Sequence, residues 1–139
     1  MGAQRPRPRV IVVDASVVGT ALIDDAPDGD IARARLHRQR LAAPALIDAE
    51  ILSLLKGLTR ARKLDGRRAR EAVADYAAMS LRRMPHLALI TRMWDLRDNL
   101  SIYDAAYVAL AEAIGAPLLT ADRRLARAAG VDCEIELIG

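Results

Sequence analysis

Three aspartates stand at positions in the sequence where catalytic side chains are often found. Asp14 directly follows the β-branched run VIVV, and Asp122 lies two residues beyond the apolar stretch LLT. Asp104 falls in the first turn of a predicted helix, three residues after Ser101. Each aspartate alone also has a structural explanation, because turns, helix N-caps and capping boxes favour this residue type. A catalytic site is therefore indicated only if the three come together.

Glu50 is harder to explain by local structure. On a predicted helix at 45–58 it lies between Leu46 and Leu54, one turn to either side, and so on or beside the face that the helix buries. A buried carboxylate needs an arginine partner, a proton or a metal ion. Asp48 also has apolar neighbours, so the helical wheel does not choose between the two acids. A buried salt bridge from Glu50 to an arginine stays open as an alternative.

The four acids would carry a concentrated negative charge if they shared one pocket. Their mutual repulsion would then need a hard cation, and an all-oxygen set of ligands suits Mg²⁺ or Mn²⁺. His37 and His86 lie far from the acidic motifs in the sequence, and Cys133 is the only cysteine. A zinc site is therefore not expected.

The elements that would position these acids alternate between strands and helices. Strands are predicted at 10–13, 41–43, 81–84, 118–120 and 134–138, and helices at 16–23, 31–40, 45–58, 66–79, 87–97, 102–114 and 122–129. The segment DDAPDGD at 24–30 is predicted as a turn, and Gly115 as a helix C-cap. The alternation, with no hairpin signal, favours one α/β domain whose parallel sheet has helices on both faces. In such a sheet, function gathers at the carboxyl ends of the strands.

The composition is that of a globular protein with an aliphatic core. Of 139 residues, 53% are hydrophobic, yet only 3% are aromatic and there is no Phe, so Leu, Ile, Val and Ala must fill the interior. The single Cys133 excludes an intrachain disulfide and fits a reducing cytosol. No apolar run approaches the length of a membrane span. We expect a cytoplasmic protein with a flexible basic arm at residues 1–9.

The basic side chains are almost all arginines and favour a polyanionic partner. The net charge is +3 with only two lysines, Lys56 and Lys63. Phosphate contacts are expected at one or more of Arg5, Arg7, Arg9, Arg123, Arg124 and Arg127. A solvated surface is the alternative for each arginine taken singly. Trp94, Tyr103 and Tyr107 are predicted to pack in the core or a dimer, although Tyr103 beside Asp104 could touch substrate.

Four fragments together resemble the PIN domain. They are VVDASV at 12–17, APALIDAEIL at 43–52, NLSIYDAAYVALAE at 99–112 and LLTADRRLA at 118–126. The most similar branch is VapC, the toxic ribonucleases of bacterial and archaeal VapBC toxin–antitoxin pairs. The resemblance spans nearly the whole chain in the right order. In segments 24–43 and 59–80, however, it is one of position only, because these segments contain few residues of the family's motifs.

The resemblance implies a fold and a site. The fold would be a mostly parallel five-stranded sheet, of order near 3-2-1-4-5, with helices on both faces. The site would bind Mg²⁺, or Mn²⁺ in its place, through the catalytic acids Asp14, Glu50, Asp104 and Asp122. Supporting positions would be Ser16, Asn99 and Thr120.

The resemblance also implies an activity and partners. The protein would be a metal-dependent endoribonuclease and the toxin of a type II pair, cutting an RNA such as tRNA or rRNA. It would form a homodimer, and a heterotetramer or larger complex with a VapB-type antitoxin. The antitoxin's C-terminal segment would lie in a groove between the early helices and the site. The alternative is a non-catalytic PIN-like module that binds RNA or a partner, although such modules usually lack site acids.

Two other classes with acidic Mg²⁺ pockets fit less well. A phosphoacceptor receiver domain needs a lysine at the end of a late strand, but both lysines lie mid-chain in predicted helices. A haloacid-dehalogenase-type phosphatase needs a second aspartate two residues after the first, and position 16 is serine.

Overall fold

The computed structural model describes residues 9–139, and its centre is one parallel sheet. The predicted arm lies outside the described residues apart from Arg9, as do Arg5 and Arg7. The strands are β1 (Val10–Val13), β2 (Arg40–Pro44), β3 (Arg82–Met84), β4 (Leu118–Thr120) and β5 (Ile135–Leu137). Their order is β3-β2-β1-β4-β5 and every neighbouring pair is parallel. The predicted α/β class and strand order are confirmed.

Helices connect the strands, as predicted. They are α1 (Ala15–Ile23), α2 (Pro27–Leu36), α3 (Ile47–Arg60), α4 (Gly66–Ala78), α5 (Ile90–Asp95), α6 (Ile102–Ile114) and α7 (Arg123–Ala126), with a 3₁₀ turn at Leu87–Leu89 before α5. Gly115 ends α6 at φ 65°, in the left-handed region that favours glycine, which confirms the predicted C-cap.

Three predicted helices, at 31–40, 87–97 and 122–129, were wrong in their bounds, and the first of them is α2 (Pro27–Leu36). The stretch 24–30 is not all turn, because Pro27 occupies the first helical position of α2 and Asp28 and Asp30 suit its first turn. The helix predicted at 87–97 is divided into the 3₁₀ turn and α5. The helix predicted at 122–129 ends early, because the following chain is held elsewhere: Arg92 donates to the Gly130 carbonyl at 2.8 Å.

Small residues let the helices pack closely on the sheet and on each other. Residues 105–111 of α6 are all buried, and four of the seven are alanine. The core face of α3 consists of Ile47, Ile51 and Leu55, at helical spacing. At the α1–α3 contact, a Cβ on Gly19 would lie 2.4 Å from Leu54 Cδ2, so glycine permits the approach. This packing holds α1, α3 and α6 around the carboxyl end of β1.

No helix within residues 9–139 combines the length and the apolar character that crossing a bilayer requires.

Candidate active site

Asp14 lies at the carboxyl end of β1, where three elements meet. It is only 5% exposed. Its Oδ1 accepts hydrogen bonds from the Ser16 hydroxyl at 2.6 Å and the Val17 amide at 3.1 Å, and its Oδ2 accepts one from the Thr120 hydroxyl at 2.5 Å. The parallel pairing of β1 with β4 brings Thr120 here. Asp14 therefore caps α1 and also fixes the junction of β1, α1 and β4, with predicted residues Ser16 and Thr120 both against it.

Glu50 projects from the first turns of α3 toward the same edge and is half-buried. Its Oε1 accepts a hydrogen bond from the Tyr107 hydroxyl at 2.6 Å. The alternative of a salt bridge is not seen, since no arginine or lysine among the described residues pairs with Glu50. Glu50 is therefore tied to the protein by a neutral donor.

Asp48, the acid that the helical wheel could not separate from Glu50, faces the other way. It accepts a hydrogen bond from the Tyr76 hydroxyl at 2.6 Å and one from Arg83 Nε at 2.8 Å. Although burial opposes the shift, these two hydrogen bonds lower the pKa of Asp48. Asp48 thus joins α3 to α4 and β3, which leaves Glu50 as the acid of this helix that belongs to the site.

Asp104 lies in the first turn of α6 and Asp122 is the N-cap of α7, and both are half-buried. The Asp104 amide donates to Ser101 Oγ at 3.1 Å, the first half of the predicted capping motif. Asp122 caps α7 by accepting from the Arg124 amide at 2.9 Å, and its own amide donates to Thr120 Oγ1 at 3.0 Å. The loop after β4 is therefore bonded to the residues that hold Asp14.

The four acids share one electrostatic environment. Burial raises the pKa of Asp14, and the charge of Asp104 adds to the rise. Burial likewise raises the pKa of Glu50, together with the charges of Asp104 and Asp14. The pKa of Asp104 is raised by burial and by the charge of Asp122. The hydrogen bond with Ser101 and the charge of Arg124 act in the opposite direction and lower it. Each acid therefore interacts with at least one other, and their charges are not compensated by a paired cation.

The set fits a hard divalent cation by charge and donor chemistry. All four members are carboxylates, and none pairs with a basic side chain of residues 9–139. Across that part of the chain, however, no three acidic, histidine or cysteine side chains already form a group that could hold a metal ion. Coordination would therefore have to draw the carboxylates together. Cation binding would offset the charge repulsion that adds to the effect of burial on the pKa values of Asp14, Glu50 and Asp104.

The other predicted residues fall at different distances from the acids. Tyr103 is 63% exposed and lines a cavity next to Glu50. Arg124 is close enough to Asp104 to lower its pKa, whereas Arg123 lines a small separate cavity with Thr20 and Asp28.

Asn99 is exposed and makes no hydrogen bond to the acids. Its amide nitrogen would lie 2.7 Å from a Cβ at Gly130, so it packs against the loop before β5. Trp94 is 61% exposed and lies against Arg97. A core position is therefore excluded for Trp94, as it is for the exposed Tyr103, and packing in a dimer stays a prediction for both.

Sequence reasoning missed two residues that hold Glu50 and its helix. Tyr107 is 1% exposed, as its core prediction requires, but its contact with Glu50 was not foreseen. His86 Nε2 accepts a hydrogen bond from the Leu46 amide at 3.1 Å, at the start of α3. The only signal for His86 was the Pro85-His86 pair after a strand, which does not identify a partner 40 residues away.

An open groove lies between α1 and α3 beside the acids. Its first part, of about 660 Å³, is lined by residues that include Ala15, Ser16, Leu46, Glu50, Leu54 and Tyr103. A second part, of about 600 Å³, shares Ser16 and Leu54 and reaches Asp24 and Asp25. We call the two parts the α1–α3 groove. It has apolar walls and acidic groups at both ends.

Comparison with known proteins agrees with this fold. The PIN domain family model matches residues 11–131, and the chain belongs to that family. Ribonuclease VapC9 of Mycobacterium tuberculosis is 40% identical over 129 residues, which cover 93% of this chain and 98% of the relative.

Solved VapC structures share the fold. Mycobacterium tuberculosis VapC20, described as a Sarcin-Ricin loop cleaving toxin, superimposes with a TM-score of 0.66 at 18% identity, covering 87% of this chain and 95% of that one. VapBC2 from Rickettsia felis, bound to a DNA fragment from its promoter, gives a TM-score of 0.69 at 13% identity, with 94% and 99% covered.

The raised pKa of Glu50 predicts how Glu50→Gln changes stability with pH. The glutamine keeps an acceptor for Tyr107 but removes a charge whose native pKa lies above the ordinary 4.5. As pH rises past that value the unfolded glutamate ionises first, so wild type loses stability relative to the variant. Without metal at pH 8, we expect the variant's Tm to be higher than that of wild type. At pH 4 the difference should vanish.

Asp48→Asn provides a control of opposite sign on the same helix. Because the pKa of Asp48 is lowered, its ionised form stabilises the native state above the ordinary value of 3.8. Its loss should lower Tm at pH 8, and less so as the pH falls through that value. Melting curves of the three proteins in EDTA from pH 4 to 8 test this account, which a Tm of Glu50→Gln below wild type at pH 8 would contradict.

Proposed function

We propose that this protein is a metal-dependent endoribonuclease that acts as the toxin of a type II toxin–antitoxin pair. One observation carries the proposal: Asp14, Glu50, Asp104 and Asp122, from four separate segments, face one edge of the sheet, and none of them forms an ion pair with a basic side chain among residues 9–139. The identity to named VapC ribonucleases supports the choice of RNA as substrate.

The proposed cofactor is Mg²⁺, with Mn²⁺ as a substitute, held by the four acids directly or through water. Such an ion polarises a phosphate oxygen and lowers the pKa of a bound water. Ser16, Thr120 and the Val17 amide keep the Asp14 carboxylate in one orientation. A carboxylate that is already held in place loses little further freedom when it binds a cation, which favours that binding.

Glu50 is proposed to accept the proton of the attacking water. Its Oε1 is occupied by Tyr107, which leaves Oε2 as the oxygen for that role. Attack by water on the phosphorus would leave a 5′-phosphate and a 3′-hydroxyl, with no part for the ribose 2′-hydroxyl.

RNA is proposed to approach across the exposed side chains next to the acids. Arg124 carries positive charge close to Asp104, and Tyr103 offers an exposed ring beside Glu50. Arg123 and the basic residues near the amino terminus would add phosphate contacts, and binding should weaken with salt. A tRNA or rRNA is the expected class of substrate.

A VapB-type antitoxin is proposed to occupy the α1–α3 groove. The apolar walls suit an extended or helical segment with aliphatic side chains, and the acidic ends suit basic ones. An arginine of the antitoxin beside Glu50 would compete with metal or substrate. We also propose a cytoplasmic homodimer, in which the exposed Trp94 would find a packing partner, and a heterotetramer or larger complex with the antitoxin.

A non-catalytic module that binds RNA or a protein partner is the second candidate. The observation in its favour is that no three ligand side chains of residues 9–139 already form a metal-binding group. The presence of all four acids favours the enzyme.

Cleavage of total cellular RNA by the purified protein tests the proposal. We expect cutting with Mg²⁺ or Mn²⁺, none with EDTA, and a loss of about 100-fold or more in Asp14→Asn and Asp104→Asn, because each removes a charge that holds the cation. Asp75→Asn, at an exposed position of α4, serves as the matched control and should cut like wild type. Metal-independent cutting, or cutting that survives both site variants, would sink the nuclease proposal.

Co-expression with the VapB-type antitoxin proposed as its partner tests the groove. Ser53→Trp fills the wall of the groove with a bulky ring and should reduce co-purification of the partner by about tenfold or more. Leu52→Trp is the control, since Leu52 is exposed on the same helix but lines a cavity toward α4. Equal recovery of the partner with both variants would place its binding site elsewhere.

A further inference from the structure

Two buried tyrosines reach α3 from opposite sides and bind its two acids. Tyr107 of α6 is 1% exposed and donates to Glu50 Oε1 at 2.6 Å. Tyr76 of α4 is 5% exposed and donates to Asp48 Oδ1 at 2.6 Å. Residue type, burial and hydrogen-bond length are closely matched, so the pair allows a controlled comparison.

The two carboxylates differ in what else surrounds them. Asp48 forms an ion pair with Arg83 at 2.8 Å, and so its charge is balanced. Glu50 has no basic partner among residues 9–139, lines the α1–α3 groove and interacts with the charges of Asp14 and Asp104. The Tyr76 hydroxyl therefore completes a structural contact at Asp48. The Tyr107 hydroxyl restrains Glu50, an acid of the candidate site.

The Tyr107 hydroxyl removes much of the freedom of the Glu50 side chain. A glutamate on an open groove samples several rotamers, and repulsion from neighbouring acids would drive it toward solvent. A hydrogen bond from a buried, rigid ring opposes that movement. Tyr107 also follows Asp104 by three residues on α6, nearly one helical turn, so the bond sets Glu50 relative to the helix that carries Asp104.

We propose that Tyr107 is a positioning residue that holds Glu50 in place for cation binding, with Oε1 on the tyrosine and Oε2 left for the ion or its water. This inference rests on the proposed metal-dependent function. Tyr107 contacts neither substrate nor ion, and it acts through Glu50. Residues that orient metal ligands commonly change metal affinity or activity by about 10- to 100-fold.

Calorimetric titration of the purified protein with Mn²⁺ tests the inference. Tyr107→Phe keeps the ring and removes the hydroxyl, and its Mn²⁺ dissociation constant should rise by about tenfold or more. Tyr76→Phe should stay within about twofold of wild type, although it also loses a buried hydrogen bond and some Tm. In a Glu50→Gln background, the Tyr107→Phe change should have no further effect on affinity, because the positioned charge is already absent.

A measurement on wild type does not depend on the folding of any variant. The chain has three tyrosines, so ¹³C labelling at tyrosine Cζ gives a simple spectrum. Addition of Mg²⁺ should shift the signal of Tyr107 and leave that of Tyr76 in place.

Several outcomes overturn the inference. They are an unchanged Mn²⁺ affinity in Tyr107→Phe, an equal loss in both tyrosine variants, a further loss in the Glu50→Gln background, or a Tyr107 signal unmoved by Mg²⁺. Wild type that binds Mn²⁺ but cuts no RNA overturns the proposed function and leaves the comparison of affinities valid. Wild type that binds no Mn²⁺ overturns both.

Discussion

The buried carboxylate of Asp14 is the constraint on which the site and much of the fold depend. It accepts hydrogen bonds from α1 and from β4, elements separated by about a hundred residues, so it closes the junction between them. A charge at 5% exposure is costly unless such donors surround it. Because Ser16 and Thr120 are neutral, they satisfy the oxygens of Asp14 without cancelling its charge. The negative charge of Asp14 therefore still acts on Asp104 and Glu50. A bound cation would neutralise it.

The protein holds these charges together through packing in the surrounding core. Strands β1 and β4 are almost wholly buried, and the alanine-rich α6 packs closely enough to place Asp104 and Tyr107 at the sheet edge. The three raised pKa values show that the native state without a cation resists full ionisation of the site. Raised carboxylate pKa values of this kind lower the free energy of unfolding at neutral pH, and in the proposed function a bound cation would offset that loss.

Much of the fold could be predicted from the sequence, because the strong signals are local. The β-branched run of β1, the long periodic α6 and the C-cap at Gly115 all lie within a few residues of their cause. The strand order came from the resemblance to PIN domains. Errors concentrated where tertiary contacts decide, as in α7, which ends early because Arg92 holds the chain at Gly130.

The acids of the site could be predicted from the sequence, but the tyrosine that donates a hydrogen bond to Glu50 could not. Asp14, Glu50, Asp104 and Asp122 could be selected by motif, but the sequence left Asp48 and Glu50 equivalent on the helical wheel. Partners 28 and 57 residues away separate them, Tyr76 for Asp48 and Tyr107 for Glu50. No local pattern encodes such pairings, since each depends on how three helices pack around the sheet. Asn99 shows the opposite case, where a motif position packs against Gly130 and makes no hydrogen bond to the acids.

The most direct test of this account is an anomalous difference map from crystals of the protein grown with Mn²⁺. The account predicts a peak among the carboxylates of Asp14, Glu50, Asp104 and Asp122, with the side chains drawn in around it. A map with no peak at this edge of the sheet, or with Mn²⁺ bound only elsewhere, would contradict the claim that these four acids form a cation site.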